Sequence, residues 1–196
     1  MGLEKFDKFK VYDNENLMCT KSRFAVIDGK AQLTSGSQGI CGGQSVIWCS
    51  NVLAGKRGAD TKPSYMRAAA LQARFEKLST VVYADAAYLE KEPESVQEAI
   101  GKHGEETMFE ATGVRLLAEI SKPMTDAVWH MMSSDNPGAY LIGAPGHFMA
   151  ASTKPGEYMF FNPDHGMWSL GMFDFESLVT LGRKNMTWKL FKLGAG

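Results

Sequence analysis

Tyr140-Leu141-Ile142-Gly143-Ala144-Pro145-Gly146-His147-Phe148-Met149-Ala150-Ala151-Ser152 is the stretch on which the fold turns. Two apolar runs, each of strand length, are separated by Ala-Pro-Gly, a sequence that sets a tight turn and cannot continue a helix. The pattern repeats downstream. Tyr158-Met159-Phe160-Phe161 and Met167-Trp168-Ser169-Leu170 are again short and aromatic, and Lys154-Pro155-Gly156 and Asn162-Pro163-Asp164-His165-Gly166 lie between the runs. Short runs rich in aromatic residues with Pro/Gly punctuation predict an antiparallel meander. Asp135-Asn136-Pro137-Gly138 marks its beginning with a strong turn signal.

On either side of the meander the period changes. Downstream, Asp174 to Leu181 reads as a helix with Phe175, Leu178 and Val179 turned inward. Thr187-Trp188-Lys189-Leu190-Phe191-Lys192-Leu193 alternates as a last strand, placed at a sheet edge by its lysines. Upstream the signals are helical: Thr125 to Met132, Glu105 to Glu119 with Gly113 inside it, and Glu94 to Lys102 stopping near Gly104. A longer helix is opened by Asp60-Thr61-Lys62-Pro63 and ended by Pro93. In that helix Leu71, Phe75, Leu78, Val82, Ala86 and Leu89 form an apolar stripe, read as core. Residues 1–30 read as an irregular or edge segment in which Arg23 to Gly29 forms a short strand and turn. Helices first and sheet second make an α+β domain.

A chain of 196 residues fits one domain spanning 1–196, with 1–30 as a partly ordered N-terminal segment. The net charge of −1, with both signs mixed along the chain, argues against a nucleic-acid surface. No apolar run is long enough for a membrane span. The N-terminus lacks the apolar region of a secretory signal and meets the myristoylation pattern poorly. Three cysteines at uneven spacing form neither a disulfide framework nor a zinc site, and synthesis in a reducing cytosol is expected. The histidines are scattered, no Cys-x-x-Cys pair exists, and no phosphate loop or dinucleotide fingerprint is present. Neither a metal nor a cofactor is therefore expected.

Chemistry centres on Gly36-Ser37-Gln38-Gly39-Ile40-Cys41-Gly42-Gly43-Gln44-Ser45-Val46-Ile47-Trp48. Val46, Cys49, Val52 and Leu53 follow helical spacing, with Gly55 as the stop. No charged residue stands between Lys30 and Lys56, so this helix belongs in a core. A cysteine at its start lies beside the positive end of the helix dipole, which favours thiolate over thiol. The glycines are read as letting a substrate backbone come close. The same residues also fit an inert buried cysteine, so the reading needs a base and a group to orient it.

Of the four histidines, His103 lies in a polar stretch and His130 in a packed or half-exposed one. His147 opens a strand after Pro145-Gly146, where the sheet pins a ring that the strand end leaves open. A hairpin running from His147 to Phe161 returns the chain to its start, so Asp164 can reach the His147 ring. Asp164 is equally good turn chemistry, and His165 is an alternative base held less firmly at a turn tip.

Three features taken in order resemble the YopT/AvrPphB family of papain-like cysteine proteases, which are bacterial effectors. They are Gly39-Ile40-Cys41 with Trp48 on the following helix, Gly146-His147 opening a strand, and Phe160-Phe161-Asn162-Pro163-Asp164-His165-Gly166. The likeness covers about residues 36–55 and 139–172. It implies a papain-like fold in which a helical half carrying the nucleophile packs on an antiparallel sheet carrying His and Asp. Asn162 stands where that family frequently has aspartate, leaving Asp164 as the acid. Gly42 stands where bulkier residues are common, so substrate specificity does not carry over.

The expected chemistry is then attack by Cys41 on an acyl carbon, with His147 as base and Asp164 as its orienting group. The Cys41 backbone amide, with Gln38 upstream, would bind the oxyanion, Gln44 being on the wrong side of the helix start. A protein substrate is expected. The resemblance also implies synthesis in a bacterial cytoplasm and delivery into a host or target cell without a Sec signal, which makes a secretion chaperone an expected partner. Three readings compete: a protease, a glutamine deamidase or acyl transferase with the same triad, and a non-enzymatic interaction module.

Overall fold

The structure, a computed structural model, describes residues 2–14, 22–27, 30–35, 40–65, 67–68, 71–72, 105–181 and 186–196. Residues 22–27, 30–35 and 105–107 are described by their backbone alone. Phe75 to Leu89 of the apolar stripe, the helix expected at 94–102, His103, Cys19 and Gln38 lie outside the described residues.

A 3-10 helix, Leu3–Phe9, leads into β1 (Lys10–Tyr12). A separate two-stranded pair follows, β2 (Ser22–Ile27) with β3 (Lys30–Ser35), and then α1 (Cys41–Leu53). A 3-10 turn, Gly58–Thr61, stands where a helix was expected to open, and helical residues begin only at Tyr65. Next come α2 (Glu105–Thr112), β4 (Val114–Pro123), α3 (Met124–Met132), β5 (Gly138–Ala144), β6 (His147–Lys154), β7 (Glu157–Asn162), β8 (Gly166–Leu170), α4 (Met172–Val179) and β9 (Thr187–Ala195). Seven strands form one antiparallel sheet in the order β1-β8-β7-β6-β5-β9-β4. The meander β5 to β8 is the one expected. Its first hairpin turns on Pro145 and Gly146, where Gly146 takes φ +72° as the second central residue of a type II turn must.

The sheet is covered on both faces, which is why its central strands read as continuous apolar runs and not as alternating ones. On one face α1 crosses β5, β6 and β7, and Trp48, Ile47, Leu71, Met108 and Phe109 pack against Leu141, Ala150, Phe161 and Phe191. On the other, α3, α4 and Phe6 enclose Tyr140, Ile142, Met149, Phe160, Trp168 and Leu190. The helix α1 is buried nearly throughout, as its lack of charge demands. Trp48 stacks on Phe161 with ring centroids 5.8 Å apart and planes 5° from parallel. Such a pair adds about 0.5–1.5 kcal/mol beyond the area it buries.

Two expectations are corrected. The helix expected over 105–119 stops at Thr112, and residues 114–123 form the ten-residue strand β4. Gly113 takes φ +67°, and the Thr112 hydroxyl donates back to the Met108 and Phe109 carbonyls, so the helix closes on itself there. The last strand is not at an edge. β9 lies between β5 and β4, and β4 takes the edge. Lys189 is accommodated on an interior strand because its ammonium lies over the Phe191 ring, 4.8 Å from the centroid, and reaches Glu119 of β4 at 3.0 Å.

Candidate active site

Cys41 is the first residue of α1 and is 8% exposed. His147 is the first residue of β6. The two starts lie side by side: a Cβ added at Gly42 would stand 3.2 Å from the Phe148 ring and 2.8 Å from Gln72 Oε1. Gly43 is tighter still, since a Cβ there would fall 2.1 Å from the Ala68 carbonyl oxygen. Gly42 and Gly43 therefore serve the chain's own packing, while Gly36 and Gly39 of the same stretch lie outside the described residues. Gly42 and Gly43 let Ala68 and Gln72 lie directly against the helix that begins at Cys41. Gln72, itself buried, accepts a hydrogen bond from the Gly43 amide at 3.0 Å, while the Gln44 amide bonds the Ile40 carbonyl at 2.9 Å. The helix has no acidic residue in its first turn, so no carboxylate there offsets its dipole.

The hairpin register places the partner of His147. Phe161 pairs with Ala150 across β6 and β7, so the end of β7 falls near the start of β6. Asn162, the last residue of β7, is 4% exposed, and its Oδ1 lies 3.0 Å from His147 Nε2. Asp164 Oδ2 lies 3.7 Å from the same nitrogen. The aspartate is within ion-pair range, but the hydrogen-bonding neighbour is Asn162.

The Asn162 side chain has a second bond. Its Oδ1 also accepts the backbone N–H of Asp164 at 3.0 Å, while its carbonyl accepts the N–H of His165 at 3.0 Å and closes the turn. A backbone N–H can only donate, so the atom facing it is oxygen, and this fixes which way the amide points. The same oxygen faces His147 Nε2, so that nitrogen carries a hydrogen, and in the neutral ring Nδ1 then presents its lone pair. Asn162 thus sets the tautomer a general base needs. Sequence reasoning had treated Asn162 only as a departure from aspartate. The signal available was Asn-Pro, the pair that forms an Asx turn with its side chain as acceptor.

The other expected participants are placed as follows. His165 is at the exposed turn tip, and His130 lies on α3 with its ring edge-on to Tyr140 at 6.5 Å. Gln44 is buried, and its Oε1 accepts from Asn14 Nδ2 at 3.3 Å. Cys49 is buried in the middle of α1, and burial pushes its thiol pKa far up, so it is an inert reference for Cys41. Neither Cys41 nor Cys49 is in a disulfide. Among the described residues, no group of three or more His, Cys, Asp or Glu could hold a metal ion, and no helix is long and apolar enough to cross a membrane.

No family model matches the chain, and no curated protein matches it by sequence. The crystal structure of the Pseudomonas avirulence protein AvrPphB does match in three dimensions. The TM-score is 0.55 at 14% identity, and the likeness covers 80% of this chain and 92% of that one. The α+β fold is papain-like, with the helix that begins at Cys41 laid on the antiparallel sheet that carries His147.

Proposed function

We propose that this protein is a cysteine protease that cleaves a protein substrate with Cys41 as nucleophile and His147 as base. Asn162 and Asp164 orient and electrostatically support the His147 ring. The observation that carries the reading is the Asn162 Oδ1 shared by His147 Nε2 and the Asp164 amide, which supports a neutral ring with its lone pair on Nδ1. The geometry suits the chemistry. His147 Nδ1 takes the proton of Cys41 Sγ as sulfur bonds to the acyl carbon and the carbonyl π pair moves to oxygen. The imidazolium then gives that proton to the leaving amine as the C–N bond breaks, and a thioester remains. Water, deprotonated by the same ring, hydrolyses the thioester and restores the thiol.

The Cys41 amide at the start of α1 is the backbone donor for the oxyanion, and Gln38 is the proposed side-chain donor. The resemblance to the YopT/AvrPphB proteases and the fold shared with an avirulence protein support a role as a bacterial effector. Such an effector would be made in the bacterial cytoplasm, held there by a secretion chaperone, and delivered into a host or target cell without a Sec signal.

The test is incubation of the purified protein, and of Cys41→Ala and His147→Ala, with extract of a candidate target cell. New protein N-termini are then identified by mass spectrometry. New termini are expected with the native chain, about 10²–10⁴-fold more slowly with His147→Ala, and not with Cys41→Ala. Termini unaffected by Cys41→Ala overturn the proposal. A product heavier by about one mass unit without new termini moves the same residues to glutamine deamidation.

A further inference from the structure

The N-terminal segment, which contributes nothing to the family resemblance, reaches the site. Asn14 is 8% exposed, and its Nδ2 donates to two acceptors. One is the carbonyl oxygen of Pro163, at 2.6 Å. The other is Oε1 of Gln44 in the first turn of α1, at 3.3 Å. A carbonyl oxygen only accepts, so the atom facing Pro163 is the amide nitrogen, and the flip of Asn14 is fixed. The backbone of the segment also lies close against the turn. A Cβ added at Gly166, which has φ +120°, would lie 2.2 Å from the Tyr12 carbonyl oxygen and 3.1 Å from the Asn14 amide nitrogen. Backbone is therefore pressed on backbone where β1 meets the end of the catalytic turn.

The peptide unit between Pro163 and Asp164 is consequently held at both ends. Its carbonyl is bound by Asn14 Nδ2, and its N–H by Asn162 Oδ1, the oxygen that also faces His147 Nε2. Asp164, whose carboxylate lies 3.7 Å from the same ring nitrogen, hangs from that peptide. A continuous line of hydrogen bonds thus runs from Asn14 through the 163–164 peptide and Asn162 to the imidazole. A branch leads from Asn14 to the helix that begins with the nucleophile. Buried chains of this kind polarise and align one another.

We propose that Asn14 is a positioning residue for the His147 base. It fixes the plane of the Pro163–Asp164 peptide, and so the place of Asn162 Oδ1 and the Asp164 carboxylate over the ring, relative to the start of α1. The assignment rests on the Cys41–His147 reading above and adds to it a part for a segment remote in sequence from the other site residues. Without the Asn14 amide, the 163–164 peptide is held at its N–H end alone and the imidazolium loses part of its support. The thiolate–imidazolium pair then forms only at higher pH.

The experiment follows alkylation of Cys41 by iodoacetamide against pH, read peptide by peptide with Cys49 as the unreactive reference. It needs no knowledge of the substrate. Native chain, His147→Ala, Asn14→Ala, Asn14→Asp and Tyr12→Phe are compared, each checked for native circular dichroism. The native chain is expected to react fast near pH 6 in a way that His147→Ala abolishes. Asn14→Ala should be about tenfold slower there, its acid limb moved toward higher pH. Asn14→Asp keeps the shape but puts an acceptor against two acceptors, and should be at least as slow. Tyr12→Phe removes the bond of Tyr12 to Thr61 in the same segment, 3.3 Å long, and should leave the profile unchanged.

An Asn14→Ala profile that superimposes on a His147-dependent native profile overturns the assignment and leaves the protease reading standing. A native Cys41 no faster than in His147→Ala removes both. Should Asn14→Ala not fold, Gln44→Met reads the bridge from its helix end. A native profile in that variant also overturns the assignment, and an acid limb shifted upward supports it.

Discussion

Asn162 does two things with its Oδ1: it accepts the Asp164 amide within the turn and it holds a ring. The aspartate expected from the sequence, Asp164, stands farther from the ring at 3.7 Å and is about one-third exposed. The two residues should therefore differ in weight. Asn162→Ala removes the acceptor for His147 Nε2 and for the Asp164 amide together, and activity is expected to fall on the order of a hundredfold. Asn162→Asp keeps an acceptor for both N–H groups and should retain activity within about tenfold of the native chain. Asp164→Asn removes a charge from a partly solvated pair, which contributes at most about 1 kcal/mol, or roughly fivefold. Rates of substrate cleavage, or of Cys41 alkylation near pH 6, give the order. Asp164→Asn costing more than Asn162→Ala would reverse the assignment. Cys41 and His147 stand out in the sequence as candidates because each is announced by its neighbours, an uncharged helix in one case and Pro-Gly before a strand in the other. Asn162 does not, because its role depends on which hydrogen bonds its amide makes, and residue identity alone favoured the nearby carboxylate.

Among the elements, α1 is the one with least room for change. Gly43 faces the Ala68 backbone, which cannot swing aside as a side chain can. Gly43→Ala has good helix propensity on its side and is still expected to destabilise the fold by about 1–3 kcal/mol, through overpacking. Urea unfolding of the variant measures this, and a stability equal to the native chain's would mean that the helix around Ala68 moves freely. Gly42→Ala meets the flexible end of Gln72 and the edge of Phe148, and should cost less. The meander was legible because Pro-Gly pairs and the Asn-Pro-Asp-His-Gly turn bracket each strand, and turn chemistry is local. The strand β4 was not. Leu116 and Leu117 are adjacent, and Leu117 is 49% exposed, so apolar identity does not alternate although burial does. Missing β4 left β9 without a neighbour on one side, and its lysines then read as an edge. One error in an element became an error in topology because strand order is a non-local property.

For the molecule as a whole, the sheet has two cores, and α3 seals the second by crossing β4, β6 and β9. His130 sits on that helix, with Tyr140 of β5 beneath its ring. Burial lowers its pKa from the ordinary value near 6.5, and the ammonium groups of Lys122 on β4 and Lys192 on β9 lower it further. The folded state therefore prefers the neutral ring, and the unfolded chain binds this proton more readily. The stability that depends on a neutral His130 is fully present above the ordinary histidine pKa and is lost as pH falls through the depressed one. His130→Gln keeps a polar side chain of similar reach and cannot titrate. The native chain should accordingly lose more in Tm between about pH 7.5 and pH 5.5 than His130→Gln does, with the two curves converging in shape at the alkaline end. Because both chains carry the same carboxylates, the general acid sensitivity cancels in the difference. Thermal unfolding followed by circular dichroism at several pH values supplies that difference directly. Parallel curves across the window would mean that α3 tolerates an imidazolium between two lysines, and that the packing of this helix on the sheet is loose enough to let water in.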